Sequence, residues 1–391
     1  MTPTSQQFSV AIACGGTGGH LFPGLAVAEQ FKARGCSVTL LISPKEVDQQ
    51  GVQNARGLEI VTLPAVALQS GSRLAFIRGF VRSWLASRKH FRAHRPHAVL
   101  AMGGFTSAPP MLAARSLRAK TFLHESNTIP GRANRWLARF VDQAFVGFAE
   151  TAPRLRARET TVTGTPVRPE FHARDAGACR AALGLDPTRP VVLVMGGSQG
   201  ARGINDFVVA ALPQLAARGP QWQWVHLTGP NDCEKVRAAY AALGLNALVR
   251  PFLLEMDQVL GATTAVISRA GASSLAEFAA MRLPSVLIPF PFAADDHQLH
   301  NARAFAETGA AFLLEQRTAR ADRLAALLGE LVERPSAREK MRGALEPWHT
   351  PNAAAQIATT ILTALGGSLA ELATARESGG AGRELKLRTV A

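Results

Sequence analysis

Short apolar runs alternate with stretches whose apolar residues recur every three or four positions, and this rhythm runs through most of the chain. In the first half, Phe8 to Cys14, Ser37 to Ile42, Ala98 to Met102, Thr121 to His124 and Ala144 to Val146 read as strands. Gly24 to Arg34 and the Ala-rich stretch Pro110 to Leu117 read as helices between them. This alternation predicts a parallel sheet with helices on both faces.

Val162-Thr-Gly-Thr-Pro-Val-Arg-Pro-Glu-Phe171 breaks the rhythm with two prolines and a glycine, and the pattern then restarts. Val191 to Met195, Trp224 to Thr228, Val266 to Ser268 and Val286 to Ile288 form the second set of strands. The halves echo each other. Val10-Ala-Ile-Ala-Cys-Gly-Gly-Thr-Gly-Gly19 and Val192-Leu-Val-Met-Gly-Gly-Ser-Gln-Gly200 are both a strand, a Gly-Gly pair, a hydroxyl residue and another glycine. Two Rossmann-like α/β domains fit this better than one large sheet. The expected division is 1–166 and 167–349, with a helix over 350–366 packing back on the first domain. The Gly- and Ser-rich residues 367–391 read as a flexible tail.

Composition narrows the class. At 391 residues, with 47% hydrophobic and 18% charged residues, the chain has enough apolar side chains for sizeable cores. The formal net charge of +14 attracts nucleic acid, acidic lipid surfaces or phosphorylated substrates. With one Tyr and few aromatics besides Phe, a stacking platform for single-stranded nucleic acid is disfavoured. Four cysteines form no Cys-X-X-Cys pair, and ten histidines form no zinc motif, which suits a reducing compartment and no metal. No signal peptide is legible, and no run of 18 apolar residues exists to span a bilayer. The expectation is a cytosolic protein able to lie on a membrane face.

Candidate chemistry sits where strands end. Ile267-Ser-Arg-Ala-Gly-Ala-Ser-Ser-Leu-Ala-Glu277 passes from a buried strand through small residues into a helix expected to start near Ser273 or Ser274. Small side chains there let backbone N–H groups approach a diphosphate, which the helix dipole favours. Glu277, about one turn into that helix, can accept hydrogen bonds from a ribose diol, or be an exposed helix acid. A following strand leads to a second loop carrying Gln298. Gly15-Gly-Thr-Gly-Gly-His20 opens the first helix, but it is not a dinucleotide fingerprint, since Leu21 stands where the third glycine belongs. His20 can act there as general base or cap the loop through a backbone carbonyl. Gly103-Gly-Phe-Thr-Ser107 and His124-Glu-Ser-Asn-Thr-Ile-Pro-Gly131 follow two further strands, so His20, Thr106, Glu125 and Asn127 are expected to converge in one crevice.

Residues 73–95 carry seven Lys or Arg and no acid, with Phe76, Phe80 and Trp84 at i, i+4 and i+8. Two readings stand: an amphipathic basic helix lying on an anionic membrane, or a helix packed on the core. The strongly apolar stripe tells against a nucleic-acid helix.

With these motifs in hand, the chain closely resembles the MurG family. The resemblance rests on Gly15-Gly-Thr-Gly-Gly-His-Leu-Phe-Pro-Gly24, Met102-Gly-Gly-Phe-Thr-Ser107, His124-Glu-Ser-Asn127, Gly164-Thr-Pro-Val-Arg168, Gly196-Gly-Ser-Gln-Gly-Ala-Arg202, Arg269-Ala-Gly-Ala-Ser-Ser-Leu-Ala-Glu277 and Asp296-His-Gln298, in the family's order. It implies the GT-B fold, two Rossmann-like domains facing a central cleft. It implies an inverting hexosyltransferase that moves N-acetylglucosamine from UDP-N-acetylglucosamine to the 4-hydroxyl of the muramoyl unit of lipid I, forming lipid II for peptidoglycan. Donor contacts carry over to Thr17, Gly18, Gly19, Asn127, Arg168, Ser198 and Leu253, to Ala272, Ser273, Ser274, Leu275, Ala276 and Glu277, and to Gln298; the proposed general base carries over to His20. The resemblance further implies no cofactor, no metal and no nucleic acid, and a peripheral place on the cytoplasmic face of the bacterial membrane.

The chain departs from the family pattern at Ser126, often Gln, and at Ser273-Ser274, often Leu-Thr. The segment after Gly366 has no counterpart. No Asp-X-Asp occurs in the chain, so helix N-termini at Ser198 and Ser273, with Arg168, are expected to offset the charge of the leaving UDP. The alternatives are another GT-B lipid glycosyltransferase, a UDP-N-acetylglucosamine 2-epimerase, or a non-catalytic membrane-docking subunit that binds a nucleotide sugar.

Overall fold

The computed structural model describes residues 7–53, 55–64, 73–197, 202–366 and 386–389. They form two compact units, Met1–Arg168 with Pro351–Ala391, and Pro169–Thr350. The division falls inside the Pro- and Gly-interrupted stretch, and it leaves Arg168 in the first unit.

The first unit opens with β1 (Ser9–Ala13), α1 (Gly18–Ala33), β2 (Ser37–Ile42), α2 (Glu46–Gly51), β3 (Glu59–Thr62) and α3 (Arg73–Ala93). It continues with β4 (Ala98–Ala101), α4 (Ala108–Ser116), β5 (Lys120–Glu125), α5 (Arg132–Leu137), β6 (Gln143–Val146) and β7 (Thr160–Val162). All these strands pair parallel, and the order through the sheet is β3-β2-β1-β4-β5-β6-β7. Side chains alternate across each strand. Val10 and Ile12 therefore join one core with α1, while Ala11 and Ala13 join a second core with α3, α4 and α5.

The second unit comprises α6 (Ala176–Ala182), β8 (Val191–Met195), α7 (Arg202–Arg218), β9 (Gln223–Leu227), α8 (Cys233–Ala242), β10 (Ala247–Arg250) and α9 (Met256–Ala262). After these come β11 (Ala265–Ser268), α10 (Ala272–Ala280), β12 (Ser285–Leu287), α11 (His297–Glu307), β13 (Phe312–Leu313), α12 (Ala321–Glu333) and α13 (Pro335–Leu345). Its parallel order is β10-β9-β8-β11-β12-β13. Both sheets therefore start in the middle and wind outward twice, and each has one switch point: β1 against β4, and β8 against β11.

The chain then returns to the first unit. In α14 (Ala353–Ala364), Ile357, Ala358, Ile361 and Leu362 complete the core beside α1. Four residues of the segment expected to be a flexible tail form a strand instead, β14 (Lys386–Thr389), which extends the sheet parallel to β3. The rest of that segment lies outside the described residues.

Helix α3 corrects the expected lipid-facing stripe. Phe80 and Trp84 pack against the sheet core, and Phe76 meets Phe105 edge-on at 5.9 Å. The exposed apolar residues lie on the next stripe round the helix: Leu74 (79%), Ile77 (56%), Val81 (45%) and Leu85 (53%). Burying large rings inward removes more apolar area from water than burying aliphatic chains. Arg88 belongs to the inner side too, with its guanidinium 5.3 Å from the Trp84 ring centre. The core-packing reading therefore holds for the aromatic face, and the outer stripe is left exposed.

Candidate active site

In the first unit the chemistry gathers at the switch point. Helix α1 begins at Gly18, six residues earlier than its apolar periodicity suggests, so His20 sits in the first turn of a helix rather than in a loop. Its neighbours explain how Gly-Gly-His-Leu-Phe-Pro-Gly can be helical. Gly24 lies so close to β1 that a Cβ there would come within 2.6 Å of Cys14 Cβ. This glycine permits the tight helix–strand packing that the missing third glycine of the fingerprint would otherwise permit.

The turn between β1 and α1 is held from three sides. Asp48, fully buried on α2, accepts from the Gly16 N–H at 2.7 Å and from the Ser43 N–H at 3.0 Å. Lys45 Nζ donates to the Gly16 carbonyl at 2.9 Å, and Thr106 Oγ1 donates to the Gly15 carbonyl at 2.5 Å. Asp48 and Lys45 escaped the sequence reading because nothing in Glu46-Val-Asp-Gln marks a residue that reaches back 32 positions. Thr106 is a brace on the turn.

His20 lies between that turn and the one after β4. Thr17 Oγ1 is 3.2 Å from His20 Nδ1. Cβ atoms placed on Gly103 and Gly104 would each come within 3.0 Å of the imidazole, at Nε2 and Cε1 respectively. The ring thus rests on bare backbone at the β1–β4 switch point.

The turn after β5 is organised by Glu125, which is almost wholly buried. Its Oε1 accepts from the Asn127 backbone N–H and from Asn127 Nδ2, both at 2.9 Å. Its Oε2 accepts from the Gly131 N–H at 2.9 Å and from Asn134 Nδ2 at 2.8 Å. Four bonds to one carboxylate make it the clamp of the 125–131 loop. Buried His124 is held neutral, its pKa brought down to about 4 by burial. Its Nε2–H donates to the Gly164 carbonyl at 3.1 Å, and Ser126 Oγ lies 3.2 Å from Nδ1. A carbonyl can only accept, so the ring proton is on Nε2. Arg168 stacks on Phe22 of α1, guanidinium to ring centre 4.6 Å.

In the second unit the corresponding turn follows β11. Helix α10 begins at Ala272, one or two residues before the expected start, and no side chain caps it at Gly271. Its first-turn amides belong to Ala272, Ser273 and Ser274, whose side chains are small. Leu275 is buried in the core and its N–H donates to the Gly271 carbonyl, so it packs the helix down. Ala276 and Glu277 are half-buried.

Gln298 is not on a loop but in the first turn of α11. Its Oε1 accepts from the Ala270 N–H at 3.3 Å and from the Phe290 N–H at 3.0 Å, tying the turn after β11 to the loop after β12. Two residues without an assigned role complete the brace. Asn301 Nδ2 donates to the Ala270 carbonyl at 3.1 Å, and buried Arg269 donates through Nη1 to the Ile288 and Pro289 carbonyls at 3.0 and 3.1 Å. Burial brings the Arg269 pKa down to about 10. Leu253 lies half-buried in the loop after β10. Ser198 lies outside the described residues. Among the described residues, no group of three or more His, Cys, Asp or Glu side chains is arranged to hold a metal ion.

Known proteins match this arrangement. The glycosyltransferase family 28 N-terminal domain matches residues 10–146 and the family 28 C-terminal domain matches residues 191–359. The chain is 39% identical over 376 residues to the UDP-N-acetylglucosamine–N-acetylmuramyl-(pentapeptide) pyrophosphoryl-undecaprenol N-acetylglucosamine transferase of Xanthomonas euvesicatoria pv. vesicatoria, covering 95% of this chain and 85% of that one. The protein of the same name from Pelobacter propionicus is 37% identical over 345 residues, covering 83% and 91%. The crystal structure of Acinetobacter baumannii MurG, 26% identical, aligns with a TM-score of 0.69 over 91% of this chain and 99% of that one. The chain belongs to the MurG family.

The MurG fold is GT-B, and each Rossmann-like unit here supplies one set of turns. Thr17, Gly18, Gly19, Asn127 and Arg168 are on the first unit. Leu253, Ala272 through Glu277, and Gln298 are on the second. In the first unit Thr17, Gly18 and Gly19 follow β1, Asn127 follows β5, and Arg168, past edge strand β7, stacks on Phe22 of α1. In the second, Leu253 follows β10, Ala272 through Glu277 follow β11 and Gln298 follows β12.

Proposed function

We propose that this MurG-family protein transfers N-acetylglucosamine from UDP-N-acetylglucosamine to the 4-hydroxyl of the muramoyl unit of lipid I, forming lipid II with inversion. The observation that carries this reading is the set of turns at the switch point of each unit, in a chain matched over most of its length by relatives named as N-acetylglucosamine transferases of N-acetylmuramyl-(pentapeptide) pyrophosphoryl-undecaprenol. His20 takes the proton of the acceptor hydroxyl as its oxygen attacks C1 of the sugar. Donating Nδ1–H to Thr17 Oγ1 would leave a lone pair on Nε2 for this purpose. The bond from C1 to the diphosphate oxygen breaks, and UDP departs with the electron pair. The uncapped α10 amides of Ala272, Ser273 and Ser274, with Arg168, stabilise the charge that develops there. Glu277 accepts from the ribose diol. Gln298, Asn301 and Arg269 hold the turn in shape, and Leu275 serves by packing.

The acceptor is a membrane lipid, and no helix among the described residues is long and apolar enough to cross a membrane. The proposed docking face is the outer stripe of α3, Leu74, Ile77, Val81 and Leu85, with exposed Arg78, Arg82 and Lys89 beside it. It would hold the enzyme peripherally on the anionic cytoplasmic face of the membrane. UDP release measured with and without a lipid-diphosphate-linked muramoyl acceptor tests the proposal. Release that depends on the acceptor supports it, and equal release in its absence refutes it.

A further inference from the structure

A cavity of about 470 Å³ opens at the other end of the second sheet, where β8, β11 and β12 begin. Pro190, Thr264 and Pro284, each immediately before one of those strands, contribute to its wall. The donor turns follow the opposite ends of β8 and β11. Four-residue β11 alone separates the two places by about 13 Å at roughly 3.3 Å per residue. No residue of the cavity wall belongs to the proposed donor site.

Arg174, Arg180, Arg282, Arg338 and Arg342 all line this cavity. Three of them have carboxylate partners: Arg174 with Asp257 at 2.6 Å, Arg282 with Glu346 at 2.8 Å and Arg342 with Glu339 at 3.5 Å. Among the described residues, Arg180 and Arg338 form no ion pair. Both are instead oriented by neutral acceptors. Arg180 donates to the Ala262 carbonyl at 2.9 Å, the Pro187 carbonyl at 3.1 Å and Thr264 Oγ1 at 3.1 Å. Arg338 donates through Nη1 to the Leu331 and Val332 carbonyls at 3.0 and 3.1 Å. Those oxygens accept hydrogen bonds but bring no charge, and a guanidinium has five N–H groups to place. Burial, followed by repulsion from Arg338, pulls the Arg180 pKa below its ordinary value, although Asp175 and Asp186 attract the group from beyond ion-pair distance.

Two half-buried like charges, fixed in direction and facing a cavity of small-molecule size, are arranged for an anion that bridges them. We propose that this cavity binds a small soluble anion carrying two or more phosphate groups. The rim favours a soluble ligand over a bilayer surface. The exposed Arg174, Arg282 and Arg342 stand around it, and none of the large exposed apolar side chains lines it.

The test is calorimetric titration of the full chain with inorganic pyrophosphate, with UDP in excess to occupy the donor site. One equivalent should bind, more weakly as salt rises. Arg338→Gln should weaken binding at least tenfold and leave UDP affinity and turnover at parent values. Because Arg338 also bonds two carbonyls at the end of α12, exposed Arg342→Gln is the second variant. It should weaken binding about threefold or more with an unchanged Tm. Absence of pyrophosphate binding in the parent chain, or undiminished binding in both variants, overturns the proposal. So does binding of phosphatidylglycerol vesicles, but not pyrophosphate, that both variants abolish, since the cavity would then read a lipid headgroup.

Discussion

Thr17 Oγ1 lies 3.2 Å from Nδ1 of His20, and the rest of that imidazole lies against the backbone of Gly103 and Gly104. A base held by its far nitrogen keeps the near one aligned, so the two residues should differ in kind when removed. His20→Ala should lower kcat about a hundredfold or more, the usual scale of a lost general base, with donor affinity nearly unchanged. Thr17→Ala loses one hydrogen bond, on the order of 1 kcal/mol, and should lower kcat about three- to tenfold. Steady-state kinetics of both variants decide it: a His20→Ala kcat within a few-fold of the parent assigns the ring to loop capping.

Glu277 is half-buried in the second turn of α10, beyond the uncapped amides. Glu277→Ala should raise the donor KM tenfold or more while the Tm stays put, since a hydrogen bond to a charged group contributes roughly 1.5–3 kcal/mol. An unchanged donor KM removes Glu277 from the ribose site.

The two stripes of α3 make opposite predictions. Exchanging exposed Ile77 and Leu85 for Ser, or Arg78, Arg82 and Lys89 for Glu, should reduce sedimentation with anionic vesicles. Each cation near such a surface contributes about 1 kcal/mol. Turnover of a soluble short-chain acceptor should persist. Trp84→Ala should instead lower the Tm, because its ring packs on the core. If the charge-reversed variant pellets with vesicles like the parent, docking occurs elsewhere.

Two buried histidines should make stability fall in acid. Burial lowers the His124 pKa from 6.5 to about 4 and the His226 pKa from 6.5 to about 3. Below pH 6.5 the unfolded chain takes up protons that the folded rings refuse, so stability falls as pH drops. The loss from His124 ends near pH 4 and that from His226 near pH 3. Each unit of depression corresponds to about 1.4 kcal/mol. Thermal unfolding followed from pH 7 to pH 4 should show a steady fall in Tm, shallower in His226→Gln once its own destabilisation is subtracted. A flat profile contradicts neutral burial.

Much of this was legible in the sequence for a physical reason. Parallel strands buried on both faces must be apolar runs, so β1, β8 and β11 stand out, and the small residues after β1 and β11 mark strand-to-helix turns. What stayed hidden depends on distance in the chain. Nothing near Asp48 shows that it clamps Gly16, and nothing near Gln298 shows that α11 begins before it and aims its amide at Ala270. Periodicity identified α3 as amphipathic but could not tell its two apolar stripes apart, since both repeat at helical spacing. Only the packing of Phe80 and Trp84 separates them. The early start of α1 was masked by Pro23 and the glycines, which usually mark a break.

The central claim is the identity of the transfer, and product analysis reaches it most directly. Purified protein given labelled UDP-N-acetylglucosamine and lipid I should yield one labelled lipid, heavier than lipid I by a single N-acetylglucosamine residue β-linked to the muramoyl 4-oxygen, with one UDP released per lipid formed. Labelled sugar recovered only as free N-acetylglucosamine or as an epimerised nucleotide sugar, with lipid I unchanged, would contradict the account.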